Sequence, residues 1–217
     1  MTEDNRNVHS ILKRVLMTEL DPYLKMNGFT RDESSLEYVR RYEAGEQHLE
    51  MNYTLHPKID TRADSRLYPW IQLRFPEVNQ IALKMVDGEL SLLGGSAEIT
   101  LRQPLDIVIP NDAHVYWFTY GGEQDFELCV RSIQGYIEEW VMPFLDEYTT
   151  IASLANFFQT KDERILAQRH FYIYVAAAYI LLGQPARAME VLESNFGKAG
   201  PRRDYAKAFA YVEERIK

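Results

Sequence analysis

Apolar side chains recur at two different intervals along the first quarter of the chain. Val8, Ile11, Leu12, Val15, Leu16 and Leu20 are spaced for one face of an amphipathic helix. Asp21-Pro22 then reads as an N-cap followed by a first helical residue, which predicts a kink or restart, and Asn27-Gly28 reads as a stop. From there the interval falls to two. "SSLEYVRRY", the turn "EAGE" and "QHLEMNYTLH" predict a β-hairpin. In its second arm Leu49, Met51, Tyr53 and Leu55 alternate with His48, Glu50, Asn52, Thr54 and His56, which predicts one strand with a buried face and a wet face.

The polar run "HPKIDTRADSRLYP" reads as a loop, and "WIQLRF" as a third strand ended by Pro76. Val78, Ile81, Ala82 and Met85 mark a helix, "ELSLLGGSAEITL" a hairpin or an irregular excursion, and "HVYWFTYGG" a strand. Beyond it the pattern is helical. Phe126, Val130, Ile133, Ile137, Trp140 and Val141 form one stripe up to Pro143, where a kink or restart is expected. "TTIASLANFF" predicts a short helix, "DERILAQRHFYIYVAAAYILLG" a long buried one, and "QPARAMEVLESNFG" and "PRRDYAKAFAYVEERI" two more.

Strands clustered ahead of helices predict an α+β fold, an antiparallel β-sheet flanked by helices and followed by an all-helical C-terminal region. The expected division is a sheet domain over residues 1–150 and a helical tail over 151–217 packed on it, or one continuous domain. The polar opening "MTEDNRNVHS" argues against export, and the longest apolar run, Phe171 to Leu182, is too short to span a bilayer, so a cytoplasmic protein without membrane contact is expected.

Charge adds a direction. Residues 61–150 carry 6 basic and 14 acidic side chains, while residues 151–217 carry 10 basic and 7 acidic ones. An acidic middle repels phosphate, which disfavours nucleic acid and suits a basic protein partner. The lone Cys129 excludes an intrachain disulfide and any multi-cysteine zinc site, and its apolar surroundings predict a buried thiol.

Little in the chain announces chemistry. Neighbours two apart on one strand face lie roughly 7 Å from each other, so His48, Glu50 and Asn52 cannot share a metal, and His48 and His56 are farther apart still. Asp112 and His114 form at most an acid–base pair at a strand start, where a turn is the commoner reason for Asp. His170 reads as a core or interface histidine, and His9 has no evident partner. No nucleophile elbow or phosphate-binding glycine fingerprint occurs, and Glu138-Glu139 point about 100° apart on a helix. No metal and no cofactor are expected. The rings of the sheet, among them Tyr116, Phe118 and Tyr120, are either core or a contact surface.

"YLKMNGFTRDESSLEYVRR", "DAHVYWFTY" and "VMPFLDEYTTIASL", with the Gly28-Phe29 step and the Pro143-Phe144-Leu145 turn, resemble the bacterial family known as domain of unknown function 4304, over roughly residues 8–157. That resemblance implies a sheet covered by helices and brings no catalytic residues. "AAAYILLGQPARAMEVLE" is similar to the middle of a tetratricopeptide repeat, implying a helical hairpin with Ala188 and Leu192 packed inside.

Two functions of different class follow. The first is a non-catalytic protein-binding protein, an immunity protein or inhibitor that captures a basic toxin or enzyme through Glu50, Tyr116, Phe118, Tyr120, Glu138 and Glu139. The alternative is an enzyme with its site on the polar strand face around His48–His56.

Overall fold

The computed structural model describes residues 3–110 and 117–217. In chain order it runs α1 (Glu3–Val15), a π-helical turn (Leu16–Leu20), α2 (Asp21–Met26), β1 (Thr30–Arg31), β2 (Glu37–Tyr42), β3 (Gly45–Glu50), β4 (Tyr53–Leu55), β5 (Ser65–Leu67), β6 (Trp70–Arg74) and α3 (Pro76–Met85). A 3-10 turn (Leu90–Leu93), β7 (Leu101–Pro104), another 3-10 turn (Leu105–Ile107), β8 (Phe118–Thr119), α4 (Gly122–Tyr136), a second π-helical turn (Ile137–Val141) and α5 (Met142–Glu147) follow. The chain closes with α6 (Ile151–Thr160), α7 (Phe171–Leu181), α8 (Pro185–Phe196), α9 (Ala199–Asp204) and α10 (Ala206–Ile216). The fold is α+β, with a five-stranded antiparallel sheet in the order β1-β2-β3-β6-β7, a three-stranded sheet in the order β4-β5-β8, and a helical C-terminal region.

Two compact units interleave in sequence. Met1–Arg41, Gln47–Ile71 and Gln103–Leu145 form one, and Tyr42–Glu46, Gln72–Arg102 and Asp146–Lys217 form the other. The helical tail thus shares its unit with α3, not with itself alone, because α3 packs on α7 and α10. Its apolar stripe of Val78, Ala82 and Met85 is fully buried.

In the first unit, α1, its π turn and α2 are continuous, and α1 and the π turn pack along α4. Leu12, Val15, Leu16, Leu20 and Leu24 on one side, and Phe126, Val130, Ile133 and Ile137 on the other, are buried. Bidentate pairs join Arg14 to Glu123 and Arg131 to Glu19, each at 2.6 Å for the closer contact. Exposed pairs of that kind contribute at most about 1 kcal/mol, whereas each fully buried Leu or Ile contributes about 1.5–3 kcal/mol. The apolar stripe therefore holds these helices together, and the ion pairs fix their register.

Both expected breaks in these helices turn out to be passages. Pro22 and Pro143 lack an N–H, and their rings would strike the carbonyl four residues back. The helix widens instead: the Asp21 N–H bonds to Leu16 O and the Met142 N–H to Ile137 O, five residues back, immediately before each proline. Asp21 is consequently not a cap. Its carboxylate is buried and takes two 2.9 Å bonds from the Arg31 guanidinium and a 2.6 Å bond from the Tyr38 hydroxyl. Arg31 also donates to Ser35 O at 2.9 Å, so one ion pair ties α2, β1 and β2.

The predicted nine-residue strand is broken. β3 ends at Glu50, Met51 and Asn52 belong to neither sheet, and β4 starts at Tyr53 in the other sheet. Opposite this break lies a second one, at Tyr68-Pro69 between β5 and β6, and the Tyr68 N–H closes the gap by donating to Asn52 O at 2.9 Å. β5 itself lies in the stretch whose polarity suggested only a loop. It pairs antiparallel with β4 and with β8, Arg66 standing opposite Phe118.

In the second unit α7 is apolar on every side, as a central helix should be, with Ile173 to Ala178 fully buried. It begins at Phe171, nine residues later than the sequence pattern suggests. Lys161 adopts a left-handed conformation (φ 52°), and the Asp162 carboxylate accepts from the Arg164 N–H at 2.9 Å, a local bond that competes with helix. Leu182-Gly183 closes α7, and Ala188 and Leu192 pack inside the α7–α8 hairpin.

The Asp21 network makes a measurable prediction. Burial would raise the Asp21 pKa, but the bonds from Arg31 and Tyr38 outweigh it and hold the carboxyl below its usual range. The network therefore contributes fully above the unfolded-state pKa, near 4, and its contribution is lost as pH falls through the lower folded value. Asp21→Ala leaves Arg31 buried and unpaired and is expected to destabilise by about 3–5 kcal/mol at neutral pH. Urea titrations at a series of pH values should show that gap narrowing on acidification.

Candidate functional site

The two facing breaks frame a cleft in the first unit. Pro69 has no N–H to offer a ladder, so β5 cannot run on into β6 as one strand. Its carbonyl accepts instead from the Leu105 N–H at 2.9 Å, and the Leu67 N–H donates to Trp117 O at 2.8 Å. These bonds bring residues 66–70, 104–106 and 117 around a cleft of about 180 Å³ lined by Arg66, Tyr68, Pro69, Trp70, Pro104, Asp106 and Trp117. The guanidinium of Arg66 lies 5.8 Å from the ring centre of Phe118, its cross-strand partner.

From Trp117 a row of rings extends along α4 and its π turn. Trp117 and Tyr136 are 6.4 Å apart between centroids, and Tyr136 and Trp140 stack at 5.2 Å with planes only 19° apart. All three are half-buried. Tyr136 and Trp140 stack across their four-residue spacing, and Glu139 adjoins Trp140 in the chain. Glu138 and Glu139 are exposed, and neither has an ion pair among the described residues.

The residues singled out in the sequence are distributed as follows. Phe118 lies half-buried on β8 beneath Arg66. Tyr120 is 53% exposed; its hydroxyl donates to Asp60 at 3.0 Å and its N–H to Asp125 at 2.7 Å. The Asp60 bond raises the Tyr120 pKa, while Arg62 lowers that of Asp60. Glu50, half-buried at the end of β3, accepts a 3.3 Å bond from Asn52. Tyr116, with Asp112 and His114, lies outside the described residues. Glu139 thus lies next to Trp140 in the chain, whereas Phe118 belongs to the Arg66 side and Glu50 to neither.

The histidine strand is corrected. Gln47, His48 and Leu49 are all buried, and of β3 only Glu46 and Glu50 are half-exposed, so His48 does not face solvent. His48 Nδ1 lies 2.6 Å from Glu37 Oε1 on the neighbouring strand, a polar pair that explains how an imidazole fits there. His56 sits beyond β4 with a left-handed backbone (φ 46°). His48 therefore lies in one sheet and His56 just past a strand of the other, so the two share no continuous strand face. Burial lowers the pKa of His9, with Lys13 adding to it, and burial alone lowers that of His170. No group of three His, Cys, Asp or Glu is placed to hold a metal among the described residues.

Arg66, Tyr68, Asp106 and Trp70 as cleft residues were not recognisable in advance. Arg66 and Tyr68 fall in a run whose polarity reads as loop, and nothing in the spacing shows that residues 104–106 meet it. No protein-family model matches the chain, and no curated protein and no solved structure is similar to it. The resemblance to the domain of unknown function 4304 family rests on the short sequence motifs alone. Among the described residues no helix is long and apolar enough to cross a membrane.

Cys129 is buried, and its thiol donates to Phe118 O at 3.2 Å. Burial, with a smaller push from Asp125, raises its pKa to about 11. A thiol in that state is a poor nucleophile. A disulfide reagent at mildly alkaline pH is expected to label the native protein at least about a hundredfold more slowly than the denatured chain, as followed by release of the reagent's chromophore.

Proposed function

We propose that this is a non-catalytic protein-binding protein, of the immunity-protein or inhibitor kind, whose partner is a basic toxin or enzyme. The observation that carries the reading is the ring row Trp117, Tyr136 and Trp140, half-exposed and bordered by Glu139 and Glu138. Half-exposed Trp and Tyr are the side chains most often found to anchor protein partners, because one ring buries a large area with little conformational entropy to lose. Carboxylates at the rim steer an oppositely charged partner into contact and attract its Arg and Lys side chains toward the ring faces. The acidic balance of residues 61–150 extends that field. Leu128, 64% exposed on α4, and Tyr120 enlarge the apolar area available on the same unit.

The two kinds of residue act on different quantities, which gives the test. With the chain immobilised and lysate of its native host passed over it, a basic protein is expected to be retained, more strongly at low salt. Trp140→Ala should weaken the recovered complex about thirtyfold, mainly through faster dissociation. Glu138→Gln with Glu139→Gln should slow association and flatten its salt dependence. Surface plasmon resonance on the purified pair separates the two rates. Absence of any retained protein, or a complex indifferent to all three substitutions, counts against the reading.

A further inference from the structure

The cleft beside the ring row has a property that protein capture does not require. Its walls are Tyr68, Trp70, Trp117 and Pro104, and its charged members are Arg66 and Asp106. Among the described residues the buried Nε of Arg66 has no hydrogen-bond partner and its guanidinium no ion pair. Asp106, exposed on the same cleft, is likewise without one, so the two opposite charges line one cavity without meeting each other.

We propose that this cleft is a binding site for a small zwitterion, with the ligand's carboxylate on Arg66 and its ammonium between Asp106 and the aromatic walls. A simple anion would satisfy the guanidinium, whose planar fork matches a carboxylate, but would face Asp106. A simple cation would find Asp106 and the negative ring faces, but would face Arg66. A molecule carrying both charges a few bonds apart satisfies every group of the lining at once. The volume, about 180 Å³, limits it to a small molecule with little beyond the two charged groups and a compact apolar part. This site does not rest on capture of a protein partner: Arg66 and Asp106 lie outside the ring row, and the two share only Trp117.

Isothermal titration of the full chain, with the indole signals of Trp70 and Trp117 followed by NMR, tests it. The zwitterionic probes are glycine betaine, an alkylated ammonium, and L-phenylalanine, a free amino acid; choline and acetate supply the two charges separately. At least one zwitterion is expected to bind and shift both indoles, with choline and acetate each at least about tenfold weaker. Which zwitterion binds tells an alkylated ammonium from a free amino acid. Asp106→Asn, an exposed change, and Arg66→Met should each weaken binding about tenfold or more, with melting followed by circular dichroism. Should Arg66→Met fail to fold, Arg66→Lys keeps the charge but not the fork, and is expected to weaken the carboxylate contact while the chain stays folded. Failure of both zwitterions to bind, equal binding of choline or acetate, or wild-type affinity in the Asp106→Asn and Arg66 variants overturns the proposal.

Discussion

The missing N–H of proline is the constraint on which this architecture turns. At Pro22 and Pro143 it falls inside a helix, and the chain answers by widening one turn to π-helical bonding, so both helices continue instead of breaking. The second of these turns follows directly on Tyr136 and contains Trp140, which stacks on it. At Pro69 the missing donor falls in a sheet, and there the chain leaves one sheet for the other, opposite the break at Met51-Asn52. The cleft of Arg66, Tyr68 and Trp70 is the direct result of that second answer. The same covalent feature thus lies at the π turn that holds Trp140 and at the strand break that opens the cavity.

The parts of the fold legible in the sequence are those decided by local pattern. The stripes of α1, α3, α4 and α8, the first hairpin and the strand at β6 follow from apolar spacing and from turn residues whose preferences are intrinsic. What the pattern misstates depends on partners far along the chain. His48 alternates like a solvent-facing residue, yet Glu37 on the adjacent strand lets it sit inside. Asp21 stands where a cap should, yet its carboxylate is used by Arg31 and Tyr38, ten and seventeen residues on. The extra length assigned to α7 has a different cause, a local one: the Asp162 turn outcompetes helix although the surrounding residues favour it.

The same division applies to the candidate sites. Glu138, Glu139, Phe118 and Tyr120 stand out because they are acidic or aromatic in a region of matching character, and composition is enough to find them. Arg66 does not stand out. It lies between Ser65 and Leu67, and its environment is made by Trp70, Asp106 and Trp117, brought from three other points of the chain by the strand break and by bonds such as Leu67 N–H to Trp117 O. A cavity assembled by backbone hydrogen bonds between distant segments leaves no periodic trace.

Arg66 also differs from the arginines that pair closely with carboxylates. Arg14, Arg31, Arg131, Arg164, Arg187 and Arg202 all meet carboxylates at 2.9 Å or less. Those groups are explained by stability: removing the partner of Arg31 strands a buried charge, and the exposed pairs fix the register of neighbouring helices. Among the described residues no carboxylate gives Arg66 such an account. A ring at 5.8 Å attracts its charge but accepts no hydrogen bond from Nε, and a buried donor left unmade costs about 1–3 kcal/mol. In a chain with 32 acidic side chains a carboxylate partner within the fold is easy to supply, and the position is nonetheless kept open on a cavity. A donor withheld from the fold in this way is available to whatever enters the cavity, and it selects for a group that is anionic, planar and small.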